Sequence, residues 1–443
     1  MKRYFLYVVL ASAAVGACGD DSTTGGGGHG GTTWTGGSGG EPGTGAGGTE
    51  SGGSSIGGSG GDASGGSASG GGGQGGAAIE DLDALLARLR ADRDGTLLEE
   101  SADGGWPVRV MGGLVVVSTD ASLTNVAGDF NNWQVEPLTA DQGFSWALIT
   151  DAPGGYKFTD GTNYASDQWS RSYVYDQFGE LSIVPSTAAH LERYFEVGAG
   201  ETLLEPRTIR IWIPAEAPTH VLYLHDGQNL FDPDAIWGGW HLQDTVPPAM
   251  MLVGIDNTAA RMDEYTQVQD DIGQVVGGLG DEYAAYVEDV VRPLVATHYG
   301  EAPKVGVMGS SLGGLISLHI GYLNPTGWDF VGSMSGTLGW GSIGPHTGET
   351  MIERYEAKPK TPFVVYLDSG GSGPCADSDG DGIQDDGNGA DNYCETVQMR
   401  DVLTAKGYVF DTDLFHWHED GAPHNEQAWA ARVFRPFGIF AAL

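Results

Sequence analysis

The sequence predicts an α/β domain on a mainly parallel sheet, preceded by a small all-β module and an unstructured tether. Three observations lead to that reading. Strand and helix patterns alternate from about residue 190 to residue 443, short alternating β runs fill 104–187, and a Gly/Ser tract precedes both.

Residues 1–17 have a basic start at Lys2 and Arg3, an apolar run from Phe5 to Val15, and small residues before Cys18. This is the pattern of a secretory signal peptide, too short to span a bilayer. Val15-Gly16-Ala17-Cys18 resembles the bacterial lipobox, which implies a lipidated Cys18 at the mature N-terminus. Gly19 is not the aspartate that favours inner-membrane retention, so the expected location is the outer membrane or cell surface, with the lipid as the only membrane anchor. Residues 18–77 are almost entirely Gly, Ser, Thr and Ala after that cysteine, and cannot bury enough apolar surface to offset the entropy of ordering. Such a tether has an end-to-end distance of roughly 40 Å. Formal charge is −38, or −40 without Lys2 and Arg3, which makes nucleic acid and anionic polymers poor partners and favours a neutral substrate. With Cys18 assigned to lipid, Cys375 and Cys394 are the one possible internal disulfide in an oxidising compartment.

In 78–95, Ile79, Leu82, Leu85, Leu86 and Leu89 recur at helical spacing and predict one amphipathic helix. Between 104 and 187 the runs Leu114 to Ser118, Phe144 to Ile149 and Tyr156 to Thr159, separated by Asp, Asn and Gly turns, predict an immunoglobulin-like β-sandwich. Through Ala127-Gly128-Asp129-Phe130-Asn131-Asn132-Trp133 and Gly155-Tyr156-Lys157-Phe158, this module resembles the glycogen-binding, isoamylase-type carbohydrate-binding modules. The resemblance implies Trp133 and Lys157 as sugar contacts, with Tyr164 where the family has a second tryptophan. A module that merely packs on its neighbour uses the same aromatics.

From 190 to 443 the candidate strands are Thr208 to Ile213, His220 to Leu224, Met250 to Ile255, Lys304 to Met308, Phe330 to Met334, Phe363 to Leu367 and Thr412 to Phe415. Helical pattern fills Glu282 to Thr297, Leu312 to Tyr322, Thr396 to Ala405 and Glu426 to Phe440. Gly309-Ser310-Ser311-Leu312-Gly313 fits G-x-S-x-G, and tether segments such as Gly36 to Gly40 fit it too. Only Ser311 follows an apolar strand and opens an apolar helix, the context in which that turn exposes a nucleophilic serine on an α/β-hydrolase sheet. A serine needs a base to take its proton, and His424 lies after the last predicted strand and before the last helix; His416 and His418 are rivals. The oxyanion needs backbone N–H donors, for which Leu312, after the nucleophile, and Gln228, in the turn after Leu224, are the candidates.

Leu222-Tyr223-Leu224-His225-Asp226-Gly227-Gln228-Asn229, Gly309 to Gly314 and the block Gly421 to Trp429 together resemble the putative esterase family, with its esterase D, feruloyl, acetylxylan and enterochelin esterases. The resemblance implies acyl transfer from an ester to water without a catalytic cofactor. It implies an acid a few residues beyond a glycine after the penultimate strand. An insertion over 369–392 moves that position to Asp391, with Asp368 as the alternative.

Within the insertion, Asp377, Asp379, Asp381, Ile383 (through its carbonyl) and Asp385 sit at the alternate positions of a calcium loop, with Gly382 for the sharp turn. Asn388 stands where a final bidentate glutamate belongs, and the run is similar to the acidic repeats of thrombospondin type 3 and dockerins. An acidic solvated loop is the plainer reading.

Two classes of function fit. One is an esterase acting on acylated carbohydrate (acetyl or feruloyl esters), with an enterochelin-type siderophore ester as the rival substrate. The other is a surface carbohydrate-binding lipoprotein with a vestigial esterase domain. A complete set of serine, histidine and acid separates them, because a binding protein has no use for it.

Overall fold

The computed structural model describes residues 80–443 except 201, 347, 388 and 389. The signal segment, Cys18, the tether and Asn388 lie outside the described residues. Where one helix is expected over 78–95, two form: α1 (Leu82–Ala91) and α2 (Arg93–Ala102). Asp92 is the reason. Its backbone is extended (φ −150°) and its carboxylate accepts the Gly95 N–H, so it ends one helix and caps the next.

A four-stranded antiparallel sheet follows, in the order Val108–Val110, Gly113–Ser118, Ser145–Ile149, Thr139–Ala140. The two-residue period of a strand sends Val115 and Val117 to one face, against Leu85, Leu89 and Leu97 of α1 and α2. It sends Leu114 and Val116 to the other face, where they meet Val126, Tyr156 and Phe158 of a second sheet layer. That layer does not stop at the module. Asn125–Gly128, Gly154–Thr159, Gly179–Val184 and Ser172–Asp176 pair in turn, and Tyr173 of the last lies opposite Leu191, so one sheet of fourteen strands runs on into the α/β part.

There it holds β1 (His190–Val197), β2 (Arg207–Ile213), β3 (His220–His225), β4 (Met250–Ile255), β5 (Lys304–Ser310), β6 (Phe330–Met334), β7 (Val364–Ser369) and β8 (Leu414–His418). The order is β1-β2-β4-β3-β5-β6-β7-β8. β1, β2 and β4 are antiparallel neighbours, and from β4 to β8 every pairing is parallel. This is the mixed sheet of an α/β-hydrolase. One apolar cluster covers each face, and β4 is buried at all its positions, as a strand covered on both sides must be.

The expected strands form, with β8 displaced past the turn at Asp411, whose φ is 57°. β1 is absent from the expected set. Its charges obscure the pattern, yet Arg193 is buried in an ion pair with Glu180 at 2.6 Å. The helix expected over Glu282 to Thr297 is longer, Gly280–Tyr286 continuing through a widened turn at Val287–Val291 into Arg292–Tyr299. Pro293, which has no N–H to give Asp289, sits just after the widening. α3 (Leu312–Leu323) and α4 (Tyr393–Ala405) match expectation closely. The last helix breaks into α5 (Glu426–Ala430) and Phe434–Phe440, with Pro436 in the first turn of the second piece. Among the described residues, no helix is long and apolar enough to cross a membrane.

Candidate active site

β5 delivers Ser311 to the sheet's carboxyl edge and α3 leaves from it at once. The turn holds Ser311 at φ 56°, ψ −126°, a conformation L-residues avoid. Gly309 makes it possible: a Cβ there would stand 2.7 Å from the Gly313 carbonyl carbon. The serine hydroxyl thus projects from a sharp strand-to-helix bend.

His424, in the loop between β8 and α5, reaches Ser311 Oγ with Nε2 at 2.9 Å. Its Nδ1 lies 2.5 Å from Asp391 Oδ1. The three side chains form an unbroken relay, although 113 residues separate serine from histidine and 33 separate histidine from aspartate. The rivals point elsewhere. His416 is driven down to about 4 by burial, and His418 bonds the Gly371 carbonyl at 2.9 Å. Asp368 is wholly buried, bonded by the Tyr366 hydroxyl at 2.9 Å and paired with Arg432 at 3.1 Å; burial pushes its carboxyl up to about 6. It makes no hydrogen bond to His424, so among the two acids Asp391 is the one in the relay.

Asp391 comes from the insertion, yet it is firmly placed. Asp391 and Asn392 both take left-handed backbone, with φ of 50° and 56°. Asn392 Nδ2 donates to the Ser335 carbonyl at 2.8 Å. Gly371 must be glycine, since a Cβ would meet the Ala390 carbonyl at 2.1 Å. Cys375 and Cys394, 19 positions apart, form a disulfide that closes the loop three residues past Asp391. Closing a loop of that size stabilises a fold by about 3 kcal/mol in the chain-entropy model. Ser335, Trp429 and Arg432, which surround Asp391 and His424, were not singled out by the sequence. Nothing local marks them, because each matters through contacts distant along the chain.

The two expected oxyanion donors are the first residue of α3, Leu312, and a residue of the turn after β3, Gln228. Gln228 sits in the turn Gly227–Asn229 after β3, and its Oε1 accepts the Asn257 N–H at 3.1 Å. Among the described residues, neither the Gln228 nor the Leu312 N–H has a protein acceptor. Asp226, at φ 60°, starts this turn. Burial acts to raise its carboxyl, but the Arg261 guanidinium, bonded at 2.6 and 2.9 Å, outweighs burial and holds it low. The ion pair cancels itself. Glu426 close by has its carboxyl raised by burial. His225 behind the turn is pushed down to about 3 by burial and stays neutral.

The remaining candidates are not gathered here. Trp133 and Tyr164 are exposed on the N-terminal module, at 39% and 46%. Lys157 is not free to meet a ligand as expected: it is 6% exposed and its ammonium donates to the Phe178 carbonyl at 3.0 Å, because the turn before Gly179–Val184 folds over it. In the insertion, carboxylate oxygens of Asp377, Asp379 and Asp381 lie within 4.8 Å of one another. Asp385 departs from expectation: its Oδ2 is occupied by the N–H and hydroxyl of Ser378, at 2.7 and 2.5 Å, and it stands outside that group. The Ile383 N–H donates to Asp381 Oδ1 at 2.8 Å.

The chain is similar to several known proteins. Over 26% of its length, and 49% of the relative's, the chain is 30% identical to the uncharacterized protein YbbA of Bacillus subtilis across 123 residues. It thus spans about half the length of that curated relative. Among solved structures, the enterobactin esterase FES of Shigella flexneri matches at 16% identity, covering 74% of this chain and 93% of that one, with a TM-score of 0.41. An IroE-like serine hydrolase of Shewanella oneidensis matches at 17% identity over 57% and 80%, with a TM-score of 0.42. The siderophore hydrolase EstA of Aspergillus nidulans matches at 16% over 56% and 94%, with a TM-score of 0.41. The model of the family described as "Putative esterase" matches residues 200–437, more than half of the chain and the whole span from β2 to the helix after α5. A serine at a strained strand-to-helix bend, reached by a histidine that an aspartate holds, stands within that span, and the chain belongs to this esterase family, with the fold of a serine hydrolase.

Proposed function

We propose that this enzyme hydrolyses carboxylic esters through an acyl-enzyme on Ser311, and that its substrates are neutral, acylated carbohydrates. The observation that carries the reading is the relay Asp391–His424–Ser311 at 2.5 and 2.9 Å. His424 Nε2 takes the Ser311 proton as Oγ attacks the ester carbonyl, and the N–H groups of Leu312 and Gln228 receive the oxyanion. The alcohol leaves with the proton from His424. Water then attacks the acyl-enzyme by the same route and releases the carboxylic acid.

Two features support a neutral substrate. Arg261, beside the oxyanion turn, is neutralised by Asp226, and the chain carries −38 overall, which disfavours a polyanion. The exposed faces of Trp133 and Tyr164 suit stacking on sugar rings. A panel of acetyl and feruloyl sugar esters beside a catecholate siderophore ester tests the reading. The sugar esters should be turned over at least about tenfold faster in kcat/KM; preference for the siderophore ester would overturn the substrate assignment.

Two further proposals concern the whole chain. Cys18 carries a lipid that anchors the enzyme to the envelope, and Cys18→Ala should leave the membrane fraction; a variant still bound there contradicts the anchor. Asp377, Asp379 and Asp381 bind calcium as a structural ion. Calcium should raise the Tm of the enzyme and EDTA lower it, and an equal Tm in both argues for a plain acidic loop.

A further inference from the structure

The aspartate beside His424 is itself held by a side chain remote from the scissile bond. Ser335 follows β6, is wholly buried, and has left-handed backbone at φ 47°. Trp429 Nε1 donates to its Oγ at 3.0 Å and Arg432 Nη2 donates at 2.7 Å. Indole and guanidinium nitrogens can only donate, so both acceptor positions of the hydroxyl are filled. Its one hydrogen is left a single direction, toward Asp391 Oδ2 at 2.7 Å. The Gly370 N–H reaches the same oxygen at 2.5 Å. Asp391 Oδ1 thereby faces His424 Nδ1, and an imidazole that donates from Nδ1 presents Nε2 as an acceptor to the Ser311 hydroxyl.

We infer that Ser335 is a positioning residue for ester hydrolysis, its hydroxyl fixing the Asp391 carboxylate and, through it, the orientation and tautomer in which His424 receives the Ser311 proton. The inference rests on Ser311 being the nucleophile. Trp429 adds a second tie, because its ring stands edge-on to His424 with centroids 4.9 Å apart while its N–H is bonded to Ser335. One hydroxyl thus joins the acid to the residue packed against the base. The left-handed backbone at this position costs any residue but glycine about 1 kcal/mol or more. A serine bears that strain and supplies the hydrogen bond; a glycine would relieve it and supply none.

The test compares Ser335→Gly, which removes the hydroxyl and relieves the backbone, with Ser335→Ala, which removes the hydroxyl and keeps the strain. Ser311→Ala runs alongside, all on p-nitrophenyl acetate, with Tm measured for each. Both Ser335 variants should lose about 10- to 100-fold in kcat with KM within about twofold, a loss confined to the transition state. The acid limb of their kcat/KM profile should move to higher pH, since Asp391 with one donor fewer draws the His424 proton more strongly. A purely structural role would lower Tm and leave that limb in place. Wild-type kcat with an unmoved acid limb in either folded variant overturns the inference while Ser311→Ala is inactive. Full activity in Ser311→Ala overturns the nucleophile, and the inference with it.

Discussion

Ser311→Ala is expected to lose at least about a thousandfold of the rate on short p-nitrophenyl esters, with the fold intact. The size of the effect follows from the relay. His424 has no other proton to take from a nucleophile at 2.9 Å, and the alanine variant retains only the oxyanion donors and substrate binding. Ser311 is partly exposed, so the replacement leaves no cavity and Tm should stay close to the parent value. A Ser311→Ala protein with parental kcat would remove this serine from the chemistry.

Asp391→Asn should cost a comparable amount, about 10³- to 10⁴-fold in kcat, because an asparagine amide facing His424 Nδ1 reverses the tautomer and leaves Nε2 unable to accept a proton. Asp368→Asn should stay within about tenfold of the parent, since Asp368 meets Arg432 and Tyr366 and makes no hydrogen bond to the histidine. Its effect falls on stability, where weakening a buried ion pair costs about 3 kcal/mol. Reduction of the Cys375–Cys394 bridge should lower kcat by loosening the loop that carries Asp391. The opposite order, with Asp368→Asn the more damaging to kcat, would return the acid to the strand end.

The parts of this molecule legible in its sequence are those where local chemistry has one solution. β3 to β7 read as apolar runs because a parallel strand covered on both faces admits little else. Ser311 could be separated from the matching tether serines because glycine, strand and helix must coincide for its bend to form. His424 followed from its place between the last strand and the last helix. Asp391 was reached through family resemblance alone, since an insertion separates it from β7.

What stayed hidden depends on contacts far apart in the chain. Charges in β1 masked a strand whose Arg193 is satisfied by Glu180 across the sheet, and the burial of Lys157 depends on a turn twenty residues later. Asp385 sits at the right spacing for a calcium ligand, but Ser378 holds its Oδ2 and it stands apart from the cluster of Asp377, Asp379 and Asp381. Ser335 carries no local signal; its role exists only once Trp429, Arg432 and Asp391 are folded around it.

Labelling of the full-length enzyme with a fluorophosphonate, followed by peptide mapping, tests the central claim most directly. Such a reagent reacts with a serine whose proton is taken by a neighbouring base, and the chain holds many other serines as internal controls. One label on the peptide carrying Ser311, abolished by His424→Ala, is the result expected. Absence of label from a folded enzyme, or a label on another serine that survives His424→Ala, would contradict the account.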